Sequence, residues 1–258
     1  MGFCGLVTST GSVNESAAAP ATKHATVRVV RSIPKAPDAF TEGLEVRNGV
    51  LYESVGLYGS SEIRRVDLKT GAVVARAKLD PKQFGEGISF SPNGDLVQLT
   101  WREKVAIVRD PKTFAEKSRL VYSTEGWGLC YSTVRKAFLQ SDGSNTLYLR
   151  NAKTFKEVGR ITVKFGDGHA PTALNELECE GSTVFANVWT QSNILEINAT
   201  TGVVSRDIDV SALLPVVQQS PDDVLNGIAK LGKGQYLFTG KRWSKYYEVV
   251  IVDSAEVS

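Results

Sequence analysis

Short apolar runs recur along the whole chain, and most alternate apolar with polar positions in the period of a half-buried strand. The first group reads Gly43-Leu44-Glu45-Val46, Val50-Leu51-Tyr52-Glu53, Glu62-Ile63-Arg64-Arg65-Val66 and Ala72-Val73-Val74-Ala75. Arg47-Asn48-Gly49 separates the first two as a tight hairpin. In each group the third run is followed by a turn written Asp/Asn-x-x-Thr-Gly or Thr-Phe. These turns begin at Asp67, Asp110, Asn151 and Asn198, with a truncated fifth at Asp253. One four-stranded sheet cannot bury both faces until it stacks on a neighbour, so a repeat of roughly 40 to 50 residues built from short strands predicts a β-propeller. Five copies predict five blades around a central channel, an all-β fold.

Blade two starts at Ile88, with Ser91-Pro92-Asn93-Gly94 as its hairpin, and blades three, four and five start at Leu129, Leu177 and Ile228. Blade five holds three strands before Ser258. Thr26-Val27-Arg28-Val29-Val30-Arg31 has the alternation to supply the fourth, so the ring is expected to close with a strand from the N-terminal side. Residues 26–258 then form a single propeller domain, and residues 1–25, rich in Ser, Thr, Ala and Gly, read as a flexible tail. Ser211-Ala212-Leu213-Leu214 reads as a short helix in a longer connection.

Aligning the copies isolates two columns. The first, at the start of each first strand, holds Glu42, Glu86, Trp127, Asn175 and Asn226. The second follows each second strand and holds Gly56, Trp101, Gly143, Trp189 and Lys241. A structural position would repeat one residue type; these vary in chemistry. First strands line a propeller's channel, so both columns are expected to converge on one of its mouths.

Composition narrows the function classes. The 258 residues carry 30 basic against 28 acidic side chains, a formal net charge of +2. That balance argues against a nucleic-acid or anionic-membrane surface, where basic residues cluster. No apolar run approaches the roughly 18 residues of a spanning helix, so a soluble protein is expected. Phe3-Cys4-Gly5-Leu6-Val7 is too short and too poor in preceding basic residues for a signal peptide, and Leu6 disfavours myristoylation at Gly2. The compartment stays open. Strand alternation from Trp127 and Asn175 points Cys130 and Cys179 to opposite faces of adjacent sheets, so no bridge between them is expected, and three cysteines fit free thiols. His24 and His169 are isolated in sequence, with no Cys or His pair at metal-ligand spacing.

Ten motifs in order, Phe40-Thr41-Glu42-Gly43-Leu44, Glu53-Ser54-Val55-Gly56-Leu57-Tyr58-Gly59, Phe84-Gly85-Glu86-Gly87, Gln98-Leu99-Thr100-Trp101, Gly126-Trp127-Gly128-Leu129, Ser141-Asp142-Gly143-Ser144, Asn175-Glu176-Leu177-Glu178, Ala186-Asn187-Val188-Trp189, Leu225-Asn226-Gly227-Ile228-Ala229 and Thr239-Gly240-Lys241, resemble the plant and bacterial type of glutaminyl-peptide cyclotransferase. The resemblance runs from Phe40 to about Val252. It implies a five-bladed propeller that turns the N-terminal glutamine of peptides into pyroglutamate with loss of ammonia, without metal or cofactor. It places the proton-transferring carboxyl on Glu86 and the donors to the developing oxyanion on Asn175 and Lys241. Trp101, Trp127 and Trp189 match the aromatic wall, and Phe40 and Phe84 are expected to pack the substrate's aliphatic stem. The family carries Gln where this chain has Glu42; a protonated Glu42 is expected to replace it as a donor to substrate. The implied partner is a peptide or protein with N-terminal Gln, handled by a monomer.

Two other readings compete. A non-catalytic peptide-binding propeller would not need Glu86, Asn175 and Lys241 together at the channel. A metal-dependent propeller hydrolase could draw ligands from Glu42, Glu86, Asn175 and Asn226, but Trp127 breaks that ring and Lys241 would repel a cation.

Overall fold

In the computed structural model, Met1 and residues 21–216, 220–232 and 234–254 are described. The expected tail lies mostly outside them, and the strand that follows it starts already at Lys23 rather than Thr26. This is β1 (Lys23–Pro34). One four-stranded sheet comprises β2 (Thr41–Arg47), β3 (Val50–Val55), β4 (Glu62–Val66) and β5 (Val73–Lys78). The next comprises β6 (Gly85–Phe90), β7 (Leu96–Thr100), β8 (Val105–Arg109) and β9 (Glu116–Val121). A third comprises β10 (Leu129–Ser132), β11 (Ala137–Gln140), β12 (Thr146–Asn151) and β13 (Glu157–Thr162). The remaining strands are β14 (Leu174–Glu180), β15 (Thr183–Val188), β16 (Asn193–Asn198), β17 (Val204–Asp209), β18 (Leu225–Gly232), β19 (Gln235–Gly240) and β20 (Lys245–Asp253). With β1 they form an eight-stranded sheet in the order β14-β15-β16-β17-β1-β20-β19-β18.

The fold is all-β and propeller-like. Its first strands close a ring: β2 packs on β6, β6 on β10, β10 on β14, β14 on β18, and β18 back on β2. The expected pairing of the N-terminal strand is present, β1 running antiparallel to β20 from Ala25↔Asp253 to Pro34↔Lys245. The expected short helix is a 3-10 turn over Ser211–Leu213.

The repeated turn has a local cause. Asp67 Oδ1 accepts the backbone N–H groups of Lys69 and Thr70 at 2.9 and 2.8 Å. Asp110, Asn151 and Asn198 do the same in their copies. The fifth residue then turns left-handed, at φ 74° for Gly71, 61° for Phe114, 57° for Phe155 and 73° for Gly202. Gly stands where a neighbouring strand crowds the turn, since a Cβ on Gly71 would strike Pro34 O and one on Gly202 would strike Thr162 O. Phe stands where the side chain reaches the core: Phe114 and Phe155 are buried despite the cost of a positive φ.

The cysteine expectation is overturned. Cys130 on β10 and Cys179 on β14 form a disulfide with Cα atoms 5.4 Å apart. The alternation itself holds: Cys130 faces the fourth sheet, and Cys179, on the same face of β14 as Leu177, faces back to the third. Opposite faces of stacked neighbours are the ones that meet, so the placement expected to keep the thiols apart brings them together.

Candidate active site

The first strands place the first column by one repeated device. Register shifts fall between Thr41 and Gly43, Gly85 and Ile88, Leu174 and Leu177, and Leu225 and Ile228. Glu42, Glu86, Asn175 and Asn226 each sit inside such a bulge, which re-aims a side chain out of the pleat. Neighbouring first strands approach closely just beyond, so that a Cβ on Gly43 would lie 2.8 Å from Ile88 N and one on Gly87 2.6 Å from Leu129 N. Hence the recurrent glycine after the column residue. In the fourth copy Glu176 replaces it, and its carboxylate spans the ring, accepting Leu44 N–H at 3.1 Å and Ile228 N–H at 2.8 Å.

Second-column residues follow their strands directly at Gly56, Trp101, Trp189 and Lys241, whereas Gly143 lies beyond the end of β11. The backbone N–H groups of these four donate to Phe40, Phe84, Ala173 and Val224, two residues before the first column. The two columns are thereby tied together in each of those copies. Gly143 leaves room for the Trp127 ring, which a Cβ there would approach to 2.8 Å.

All nine residues selected from the sequence, Glu86, Asn175, Lys241, Phe40, Glu42, Phe84, Trp101, Trp127 and Trp189, line one cavity of about 510 Å³. Aromatic rings form its sides. Phe84 meets Trp101 edge-on at 5.5 Å and Phe40 at 6.3 Å, and Trp127 meets Trp189 at 6.0 Å. Trp189 is 38% exposed, at the outer edge of the cavity.

Both carboxyl oxygens of Glu42 have partners. Its Oε1 accepts Lys241 Nζ at 2.8 Å and its Oε2 accepts Asn226 Nδ2 at 3.1 Å. Lys241 and Glu42 form an ion pair at the cavity wall. Burial raises the Glu42 pKa above the ordinary carboxyl value, and the charge and hydrogen bond of Lys241 oppose that rise without cancelling it. Lys241 Nζ also lies 4.7 Å above the Phe40 ring.

Glu86 has the opposite surroundings. Among the described residues nothing hydrogen-bonds its carboxyl, and burial followed by the negative charge of Glu42 holds its pKa well above the ordinary value of 4.5, with Lys241 pulling the other way. Asn175 Oδ1 is buried without a partner, which leaves Nδ2 as the amide atom that reaches the cavity. The arrangement offers a proton-binding carboxyl, an amide donor and an ammonium inside an aromatic enclosure.

Four lining residues escaped the sequence reading: Leu57, Arg102, Glu125 and Asp222. A signal for Glu125 was available, since it stands two residues before Trp127 as Phe40 and Phe84 stand two before Glu42 and Glu86. Lys35 was missed as well. It is buried, and its Nζ donates to Ala39 O at 2.9 Å and Gly240 O at 3.1 Å, pinning the backbone beside both Phe40 and Lys241. No group of three or more His, Cys, Asp or Glu residues among those described is placed to hold a metal ion.

The chain matches the glutamine cyclotransferase family over residues 4–251. It is 37% identical over 238 residues to the glutaminyl-peptide cyclotransferase of Arabidopsis thaliana, an alignment covering 90% of this chain and 73% of that one. The crystal structure of Myxococcus xanthus glutaminyl cyclase superposes with a TM-score of 0.83 at 34% identity, covering 90% of this chain and 99% of the other. The chain belongs to the glutamine cyclotransferase family.

Proposed function

We infer that this chain converts the N-terminal glutamine of peptides and proteins into pyroglutamate with release of ammonia. Family membership supports the reaction, and one observation supports its location: the nine residues selected from the sequence share one cavity. A non-catalytic peptide-binding platform has no comparable support.

Glu86 is the proton carrier. An α-ammonium titrates near 7.7 and an ordinary carboxyl near 4.3, so a carboxyl held well above its usual value takes the substrate's proton at a smaller cost. The freed amine attacks the γ-amide carbon, closing the five-membered ring and placing negative charge on the γ-oxygen. Asn175 Nδ2 and the Lys241 ammonium stabilise that charge, with Lys241 held in place by Glu42. Glu86 then gives its proton to the departing nitrogen and takes the surplus proton from the ring nitrogen, and the C–N bond breaks to release ammonia. Phe40, Phe84, Trp101, Trp127 and Trp189 enclose the glutamine stem, keeping amine and amide within reach of each other.

The architecture is read as five blades. The eight-stranded sheet divides where β17 meets β1, because that pairing is parallel and runs only from Lys23↔Arg206 to Thr26↔Asp209. Residues 26–258 then act as one catalytic domain, closed by β1. A monomer is proposed as the working unit. The Cys130–Cys179 bridge supports an oxidising compartment. Side chains supply every proton transfer, so the reaction runs without a metal.

A Gln-initiated dipeptide should release ammonia with the purified protein, and its N-acetylated form, which has no free amine, should release none. A folded protein that frees no ammonia from the first would contradict the assignment. EDTA should leave the rate unchanged; inactivation reversed by zinc would overturn the metal-free mechanism.

A further inference from the structure

Glu125 lies in the loop between β9 and β10 and binds two walls of the cavity through one atom. Its Oε2 accepts Trp101 Nε1–H at 2.7 Å and Trp127 Nε1–H at 3.1 Å. Its Oε1 accepts Arg102 Nε–H at 3.3 Å, and the Arg102 guanidinium stacks 3.8 Å above the Trp101 ring. The two tryptophans come from different sheets, Trp101 at the end of β7 and Trp127 just before β10. A single oxygen shared between them therefore sets their separation.

The loop is itself anchored from below. Glu125 O accepts Gln140 Nε2 at 2.8 Å, and Gly126 N–H donates to Trp101 O at 3.0 Å. Gln140 is buried and accepts Arg150 Nε at 2.7 Å, while Gln140 and Arg150 both donate to Thr124 Oγ1 at 3.0 Å. Burial pushes the Glu125 pKa up, but the hydrogen bonds from Trp127, Trp101 and Arg102 together bring it below the ordinary value, as expected for an acceptor of three donors.

We propose that Glu125 is a positioning residue that sets the width of the substrate pocket by holding the Trp101 and Trp127 indoles on one carboxylate oxygen. It touches no reacting atom and acts through the two rings. This rests on the cyclisation reading above, since the pocket width matters for the glutamine stem. The stem is gripped alike in the bound state and the transition state, so loosening the wall should raise KM and leave kcat nearly unchanged.

Three variants separate reach from charge. Glu125→Gln keeps an oxygen at the same distance and loses the charge; Glu125→Asp keeps the charge and withdraws the oxygen; Glu125→Ala loses both. Steady-state kinetics on a Gln-initiated dipeptide should show KM following reach: raised about tenfold or more for Asp and Ala, and within about threefold of the parent for Gln, with kcat little changed in all three. Tryptophan emission should shift to longer wavelength, with easier acrylamide quenching, in Asp and Ala but not in Gln. Equal KM and emission in parent and Asp variant would overturn the proposal, as would a KM that follows charge or a loss confined to kcat. Because Asp and Gln are the deciding pair, an Ala variant that fails to fold does not rescue the idea. A parent that releases no ammonia would instead defeat the cyclisation reading, while the emission series would still report on the indoles.

Discussion

At the residue scale the site is governed by two carboxyls in unlike surroundings. Glu42 is hydrogen-bonded by Lys241 and Asn226, whereas among the described residues nothing hydrogen-bonds the Glu86 carboxyl, which feels the charge of Glu42. Because the negative charge of Glu42 helps to raise Glu86, Glu42→Gln should lower the Glu86 pKa. The acid limb of kcat/KM, which reports deprotonation of the free enzyme's base, should then move to lower pH. Titration of the substrate amine is common to both enzymes and drops out of the comparison. An acid limb at the same pH in variant and parent would mean that the two carboxyls do not interact. Replacing Lys241 by Met should be more damaging still, because it strands the buried Glu42 charge and removes an oxyanion donor together.

At the element scale, what the sequence revealed and what it hid have separate physical causes. The Asx turns at Asp67, Asp110, Asn151 and Asn198 were legible because their hydrogen bonds close within three residues. The columns were legible because each copy repeats them. The bulges at Glu42, Glu86, Asn175 and Asn226 were not, since they arise from the close packing of first strands that lie far apart in the chain. The Cys130–Cys179 bridge is hidden for another reason: alternation within a strand gives the face of each thiol but not that opposite faces of neighbouring sheets meet when the sheets stack. The bond closes a loop with a sequence separation of 49 residues, for which the loop-entropy model gives about 4 kcal/mol. Reduction, or a Cys130→Ser, Cys179→Ser pair, should lower Tm by on the order of 10 °C in a domain of this size. A reduced protein that melts with the oxidised one would show that the bridge restrains little.

At the scale of the whole molecule, carboxyls continue along β14 from Asn175 at the aromatic cavity through Glu176 to Glu178. A second cavity of about 440 Å³ is lined by Glu45, Glu178 and the disulfide. Burial is the main reason that Glu45 is pushed up to about 7 and that Glu176 and Glu178 lie well above the ordinary value of 4.5; the charge of Glu45 adds to Glu178. Carboxyls whose folded pKa is raised stabilise the fold fully below the unfolded value and lose that contribution as pH rises through the folded value. Tm should therefore fall between about pH 5 and pH 8, the window set by the Glu45 shift. Glu178→Gln, which can still accept the Lys230 N–H, should flatten that fall. An equally steep fall in the variant would place the pH dependence elsewhere.

The central claim is that Glu86 carries the proton of a cyclisation in this cavity. Ammonia release from a saturating Gln-initiated dipeptide, compared between the parent and Glu86→Gln, tests it most directly. Gln keeps the size and polarity of the side chain but cannot carry the proton, so the account predicts a Tm no lower than the parent's and a kcat lower by about 10²-fold or more. A folded Glu86→Gln variant that releases ammonia at the parent rate would contradict it.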